Sequence, residues 1–262
     1  MNAPPRLADA ALAALAREAG LSGELATDLR AVGRAFEQRP FRFSTPGFRH
    51  FDSDELPGCG GKAAFPAFSI TAGACALQCK HCRADVLKPM LPAGHPATFE
   101  ARVRTMIERQ GLSGFLLSGG SNRRNEVAFE PYLPAVRRLK NDHPSLRVLA
   151  HTGLVDARRA QALKQAGVDV AMLDIIGDDD TIREVYHLDR PVAHFDAALA
   201  HLVAAGLTVV PHVVVGLHFG RMRGEKRALD IIARHRTEAA ILVVLMHAFA
   251  DENFVAVDVQ DA

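Results

Sequence analysis

Residues 147–175 read Arg-Val-Leu-Ala-His-Thr-Gly-Leu-Val-Asp-Ala-Arg-Arg-Ala-Gln-Ala-Leu-Lys-Gln-Ala-Gly-Val-Asp-Val-Ala-Met-Leu-Asp-Ile. A short apolar run, Arg147–Ala150, gives way to Ala157, Ala160 and Leu163 at helical spacing, and then to a second apolar run, Val168–Ile175. Asp156 stands where a helix N-cap is wanted, and Gly167 where a left-handed residue would stop the helix. The stretch predicts a strand, a crossover helix and a second, parallel strand.

On either side the same alternation continues. Further strands are expected at Phe68–Thr71, Gly114–Leu117, Thr208–Val215 and Ile241–Leu245, six in all. The helical patterns between them are carried by Phe99, Val103, Met106 and Ile107, by Tyr132, Leu133, Val136 and Leu139, by Phe195, Leu199 and Leu202, and by Leu229 and Ile232. Thr98 and Pro191 mark helix starts, and Gly111 and Gly206 mark stops. The fold class this predicts is α/β, a partial (β/α)6 TIM-type barrel with N-terminal helices. A flat doubly wound sheet fits the same pattern, and in either arrangement ligands bind at the carboxyl ends of the strands. Residues 1–66 read as two N-terminal helices and a Pro- and Gly-rich cover segment, and residues 67–262 as the core.

Composition narrows the function classes. With 262 residues and 48% hydrophobic content the chain suits one large core. Its 31 Lys and Arg balance 30 Asp and Glu, so no charge excess favours nucleic acid or an anionic membrane. The longest apolar stretches, Leu207–Leu217 and Ala239–Ala250, fall short of the roughly 18 residues a bilayer span needs. The N-terminus lacks the uninterrupted apolar core of a secretory signal, so a cytoplasmic location is expected. Of four cysteines, three lie within eight residues, which favours a metal site over a disulfide framework.

Those three are Cys75, Cys79 and Cys82, in a Cys-x3-Cys-x2-Cys spacing directly after the first strand. Three thiolates on one loop can hold three corners of a cubic [4Fe–4S] cluster and leave one iron open. A tetrahedral zinc site completed by His81 or a distant His is the alternative, although no second Cys/His group is evident. After the second strand come Gly119, Gly120 and Ser121, where glycines let backbone approach a ligand closely. His151, Thr152 and Gly153 follow the third strand. Asp174 sits in the fourth, where a carboxylate in an apolar run is costly unless paired or facing a cleft. His212, Gly216, Leu217 and His218 occupy the fifth strand and its exit, with His212 and His247 equally readable as satisfied core residues. Arg183 and Arg190 suit an anion, or else a solvated helix face with Asp caps.

At these residues the sequence resembles the radical S-adenosylmethionine (SAM) superfamily, over roughly residues 43–245. The resemblance implies that the amino and carboxylate groups of SAM chelate the open iron. It also implies reductive cleavage of SAM to a 5′-deoxyadenosyl radical that abstracts hydrogen. Gly119 and Gly120 would meet the SAM amino group, with Ser121 replacing the acidic residue usual in the family. His151 and Thr152 would face the ribose or carboxylate, Gly216 and Leu217 the adenine, and His81 would pack beside it. Asp174 becomes a substrate-site residue. Residues 68–90, 168–191 and 209–225 look closest to the biotin synthase-related branch, which includes the radical subunits of a two-protein lipoyl synthase. That branch implies sulfur insertion into an octanoyl-type chain, with reduced flavodoxin or ferredoxin as electron donor, and with a second radical SAM subunit and a lipoyl carrier protein as partners. Cys59 is the only thiol left over, too few for a second cluster; it relays sulfur, or is inert, or a partner completes the site. Another radical SAM reaction, such as a methylation or rearrangement, and a non-catalytic iron–sulfur or zinc module remain open readings at this point.

Overall fold

The computed structural model describes residues 65–245 and 250–255; the N-terminal helices, the cover segment, Cys59 and His247 lie outside them. The chain divides after Gly60 into two units, and the described residues belong to the second.

Strand β1 is Ala67–Ser69, two residues shorter at its end than the apolar run. A long loop carries the cysteines and a short 3-10 turn at Asp85–Leu87, and leads to β2, Leu91–Pro92. Helix α1 spans Pro96–Gln110. Its cap is His95, whose Nδ1 accepts from the Ala97 N–H at 3.3 Å, rather than Thr98; Pro96 takes the first helical position, where a missing N–H costs nothing. There follow β3 (Gly114–Ser118), α2 (Leu133–Asp142), β4 (Arg147–His151), α3 (Ala157–Ala166) and β5 (Val170–Asp174). Asp156 caps α3 as expected, accepting from the Arg159 N–H at 2.7 Å, and Gly167 ends it at φ 90°. The polar connection after β5 folds into a short helix α4 (Asp179–Glu184), capped by Asp178. Then come α5 (Val192–Ala204), β6 (Thr208–Val215), α6 (Glu225–Ala233) and β7 (Ile241–Val244).

All described strands run parallel in one sheet, in the order β2-β1-β3-β4-β5-β6-β7. The sheet is open, an α/β fold of the partial TIM-barrel kind. It has seven strands rather than the six expected from the apolar runs. The added β2 is two residues long and ends in Pro92, which an edge strand accepts because its missing N–H breaks no ladder. The core lies between this sheet and the helices, around Phe68, Phe99 and Phe115. These rings are fully buried and meet edge to face at centroid distances of 5.3, 5.8 and 5.4 Å. Such pairs add about 0.5–1.5 kcal/mol each beyond the area they bury.

Register decides what lines the opposite face of the sheet. His151 of β4 pairs with Met172 of β5, and Asp174, two residues on, pairs with His212 of β6. Side chains alternate along a strand, so His151, Asp174 and His212 share one face, opposite Val148 and Leu173, which enter the core.

Candidate active site

The cysteine loop is pinned on all sides. Ala74 N–H returns to the Thr71 carbonyl at 3.0 Å, and Ala76 N–H donates to the Ser121 carbonyl at 2.9 Å. Lys80 N–H donates to the Val185 carbonyl at 2.9 Å, and the Lys80 carbonyl accepts from Asp251 N–H at 2.9 Å. Thr71 Oγ1 accepts from Gly120 N–H at 2.8 Å. A Cβ on Gly120 would strike the Ala74 carbonyl and stand 2.6 Å from Cys75 Cα, so the expected close approach at this glycine is to the cysteine loop itself. Cys75 Sγ lies 3.8 Å from the Ser121 carbonyl, and Cys79 Sγ 4.0 Å from that of Tyr186.

The thiols influence one another. The Cys79 thiol is held far up by its hydrogen bond with Cys82, by burial, and by the charges of Cys82, Cys75 and Asp174. Cys82 is pulled down to about 4, first by the Cys79 hydrogen bond and then by His81, against the opposing effect of burial. Cys82 is thus the ready thiolate of the pair.

Beneath the loop, His81 stacks on Tyr186, with centroids 4.8 Å apart. His81 Nδ1 and the Tyr186 hydroxyl are buried without a hydrogen-bond partner. Burial, followed by the charges of Asp174, Cys79 and Cys82, pushes the Tyr186 phenol upward. Asp174 stands beside His151 and His212 on the strand between theirs, its Oδ1 lying 3.7 Å from His151 Nε2 and 3.8 Å from His212 Nδ1. The two imidazoles are 3.0 Å apart, nitrogen to nitrogen, and their rings stack. Burial alone would raise the Asp174 carboxyl, but His151, His212 and His81 outweigh it and hold the group well below the usual carboxylate range. His212 is driven down to about 4 by burial and by His151, against the attraction of Asp174. About a third of the Asp174 side chain stays exposed, so the group lines a cleft.

A protein-family profile for the Radical SAM superfamily matches residues 69–232, more than half the chain. This chain belongs to the radical SAM superfamily. It is 34% identical over 109 residues to a biotin synthase from Desulforudis audaxviator (strain MP104C), covering 37% of this chain and 30% of that one. Among solved structures it is similar to methylornithine synthase (PylB), with TM-score 0.53 and 13% identity over 70% of this chain and 53% of that one. It is also similar to HydG, a maturase of the [FeFe]-hydrogenase, with TM-score 0.53 and 15% identity over 70% and 43%. At these identities the structures show a shared fold, and the chain spans about half or less of the length of each relative.

Radical SAM proteins use a [4Fe–4S] cluster and SAM, and this loop fits them. Among the described residues, the group of three His, Cys, Asp or Glu whose ligand atoms all come within 4.8 Å of one another is His151, Asp174 and His212. Cys75, Cys79 and Cys82 offer the three soft thiolates such a cluster takes, with Cys79 and Cys82 close enough to share a hydrogen bond.

The structure brings together Cys75, Cys79, Cys82, His81 and Asp174 through the contacts described, with Gly120 and Ser121 backing the loop. Gly119 packs on Ile70, and Ser121 Oγ donates to Asn125 Oδ1 at 3.0 Å. His151 turns to His212 and Asp174. Thr152 is buried, its hydroxyl donating to the Met172 carbonyl at 3.3 Å. Gly216 spends both its backbone groups internally, N–H on Glu225 at 2.8 Å and carbonyl on Gly220 N–H at 2.8 Å, while Leu217 is buried. Arg183 pairs with Asp180 on the outside of α4, as a solvated helix face would, and Arg190 lies 3.4 Å from His194. Sequence reasoning gave no role to Tyr186, Asn125 or Glu225. Glu225 Oε2 also accepts the Arg223 and Gly224 N–H groups, closing the loop after β6, and its only sequence signal is an acid in the first turn of a helix.

Proposed function

We propose that this chain holds a [4Fe–4S] cluster through Cys75, Cys79 and Cys82, binds SAM beside it, and abstracts hydrogen from a substrate seated over Asp174. The observation that carries this is the gathering of Cys75, Cys79 and Cys82 on one hydrogen-bonded loop after β1, with Cys75, Cys82 and Asp174 all close enough to act on the Cys79 thiol. Bound there, cluster and SAM supply a 5′-deoxyadenosyl radical that attacks an unreactive C–H bond. The chain's own residues do the rest. Cys82 presents the first thiolate, and Cys79 gives up its proton on ligation. His81 and Tyr186 wall off the region under the loop and limit water there. Asp174, ionised, orients a polar group of the substrate at its Oδ1. Gly119, Gly120 and Ser121 would offer to the methionine part of SAM only the backbone groups not already spent on Thr71 and Ala76, while His151, Thr152, Gly216 and Leu217 fit less well as SAM contacts, being engaged or buried as described. Residues 67–262 form the catalytic core, with 1–66 as an N-terminal segment.

The finer reading is sulfur insertion in lipoyl or biotin-like cofactor formation, supported by the identity with biotin synthase over 109 residues. Among the described residues the cysteines are Cys75, Cys79 and Cys82, so the sulfur would come from a second radical SAM subunit, acting on an octanoyl chain presented by a lipoyl carrier protein. Electrons would come from reduced flavodoxin or ferredoxin. No helix among the described residues is long and apolar enough to cross a membrane.

Protein reconstituted with iron and sulfide, then given dithionite and SAM, is expected to release 5′-deoxyadenosine, and Cys79→Ala to release none. No 5′-deoxyadenosine from the wild type would overturn the enzymatic reading. Adding an octanoylated carrier protein and the partner subunit tests sulfur insertion by mass; 5′-deoxyadenosine without a thiolated product would leave the radical reading and remove the sulfur one.

A further inference from the structure

We propose that His151, Asp174 and His212 form a second metal site, for a single divalent transition ion such as Zn2+, Fe2+ or Co2+, in the lumen below the cysteine loop. Three adjacent strands contribute one ligand each, and their register aims all three side chains at the same face. The donor atoms form a triangle with sides of 3.0, 3.7 and 3.8 Å. A point equidistant from the corners of that triangle is about 2.1 Å from each, which is the bond length such ions make to imidazole nitrogen and carboxylate oxygen. An ion at that point lies in the plane of its three donor atoms, from two imidazoles and one carboxylate, with positions on either side of the plane left open for a ligand.

A second observation points the same way. Tyr186 is 4% exposed, and its hydroxyl makes no well-formed hydrogen bond, Asp174 being close enough to act on it. A water or substrate oxygen bound to an ion at Asp174 would supply one. The cleft is reachable, since His151 and Asp174 are 28% and 32% exposed. The site would therefore anchor a substrate heteroatom close to where the radical acts. It requires no thiolate and is separate from the cluster.

The test uses the reconstituted full-length protein, with cluster content followed by acid-labile sulfide and added metal by Co2+ titration. Wild type is expected to take up about one Co2+ per chain beyond the cluster, with weak visible d–d bands and no intense thiolate-to-cobalt absorption. Asp174→Asn and His151→Ala should each weaken that uptake at least about tenfold while sulfide content stays unchanged. The proposal is overturned if wild type binds no Co2+ at tenfold excess, if the bands are those of a thiolate complex, or if both variants bind as tightly as wild type. Should either variant lose sulfide or melt early, His212→Asn and the wild-type spectrum decide. 5′-Deoxyadenosine formation is read separately, so this site can fail while the cluster assignment stands.

Discussion

Gly120 carries more of the site than its size suggests. Its Cα rests against Ala74 and Cys75, where any side chain would push the cysteine loop off its strand. Gly120→Ala is expected to cost about 1–3 kcal/mol through overpacking and to lower sulfide retention after reconstitution, both measurable by thermal melting and sulfide assay. Tyr186→Phe should behave in the opposite sense. Removing a buried hydroxyl without a well-formed hydrogen bond should leave stability unchanged or raise it by up to about 1–3 kcal/mol, read by thermal melting. At this scale the cysteines were legible because thiol spacing along the chain is itself the signal. His212 was not, because a histidine in an apolar strand has the same sequence appearance whether it is satisfied in the core or faces a cleft. Only register shows that it meets Asp174.

Between elements, ion pairs stitch neighbouring helices. Glu100 of α1 accepts from Arg138 of α2 at 2.7 Å and from Arg104 at 2.9 Å. Arg138, against some opposition from burial and with help from Arg104, holds the Glu100 carboxyl below its ordinary value. A depressed carboxylate stabilises the fold above the ordinary pKa of about 4.3 and ceases to do so as the pH falls through the lowered value. Glu100→Gln should therefore lower the thermal midpoint at pH 7, by a few degrees for a loss of about 1 kcal/mol in this partly solvated network, and by less at pH 3. Scanning calorimetry at the two pH values checks it. Most elements could be read from the chain, since Asp156, Gly111 and Gly167 punctuate apolar periodicity clearly. The exceptions were local. β2 is too short to show a period, and the start of α1 was placed at Thr98 because His95 and Pro96, which cap and open it, resemble loop residues.

At the largest scale, the described residues form an open parallel sheet, with the candidate site at the carboxyl ends of its strands. The chain has four cysteines, three of them committed to one loop, so reconstitution should give about four sulfides per chain, and Cys59→Ser should leave that value unchanged. The alternation of parallel strands and helices followed from the repeating apolar pattern, while the order of the strands, with β2 at the edge, did not. The lumen did not, because pairing across β4, β5 and β6 is a property of space and leaves no mark on any single strand. The clamps on Lys80 bear on how the protein comes to be loaded. Its N–H waits for Val185 and its carbonyl for Asp251, while the Leu77 carbonyl meets His187 Nδ1 at 3.1 Å. A chain emerging from the ribosome thus exposes its three thiols long before it can lock them in place. Iron and sulfur delivered early would meet a loose peptide, so on the proposed assignment cluster insertion is expected only after synthesis has passed residue 251.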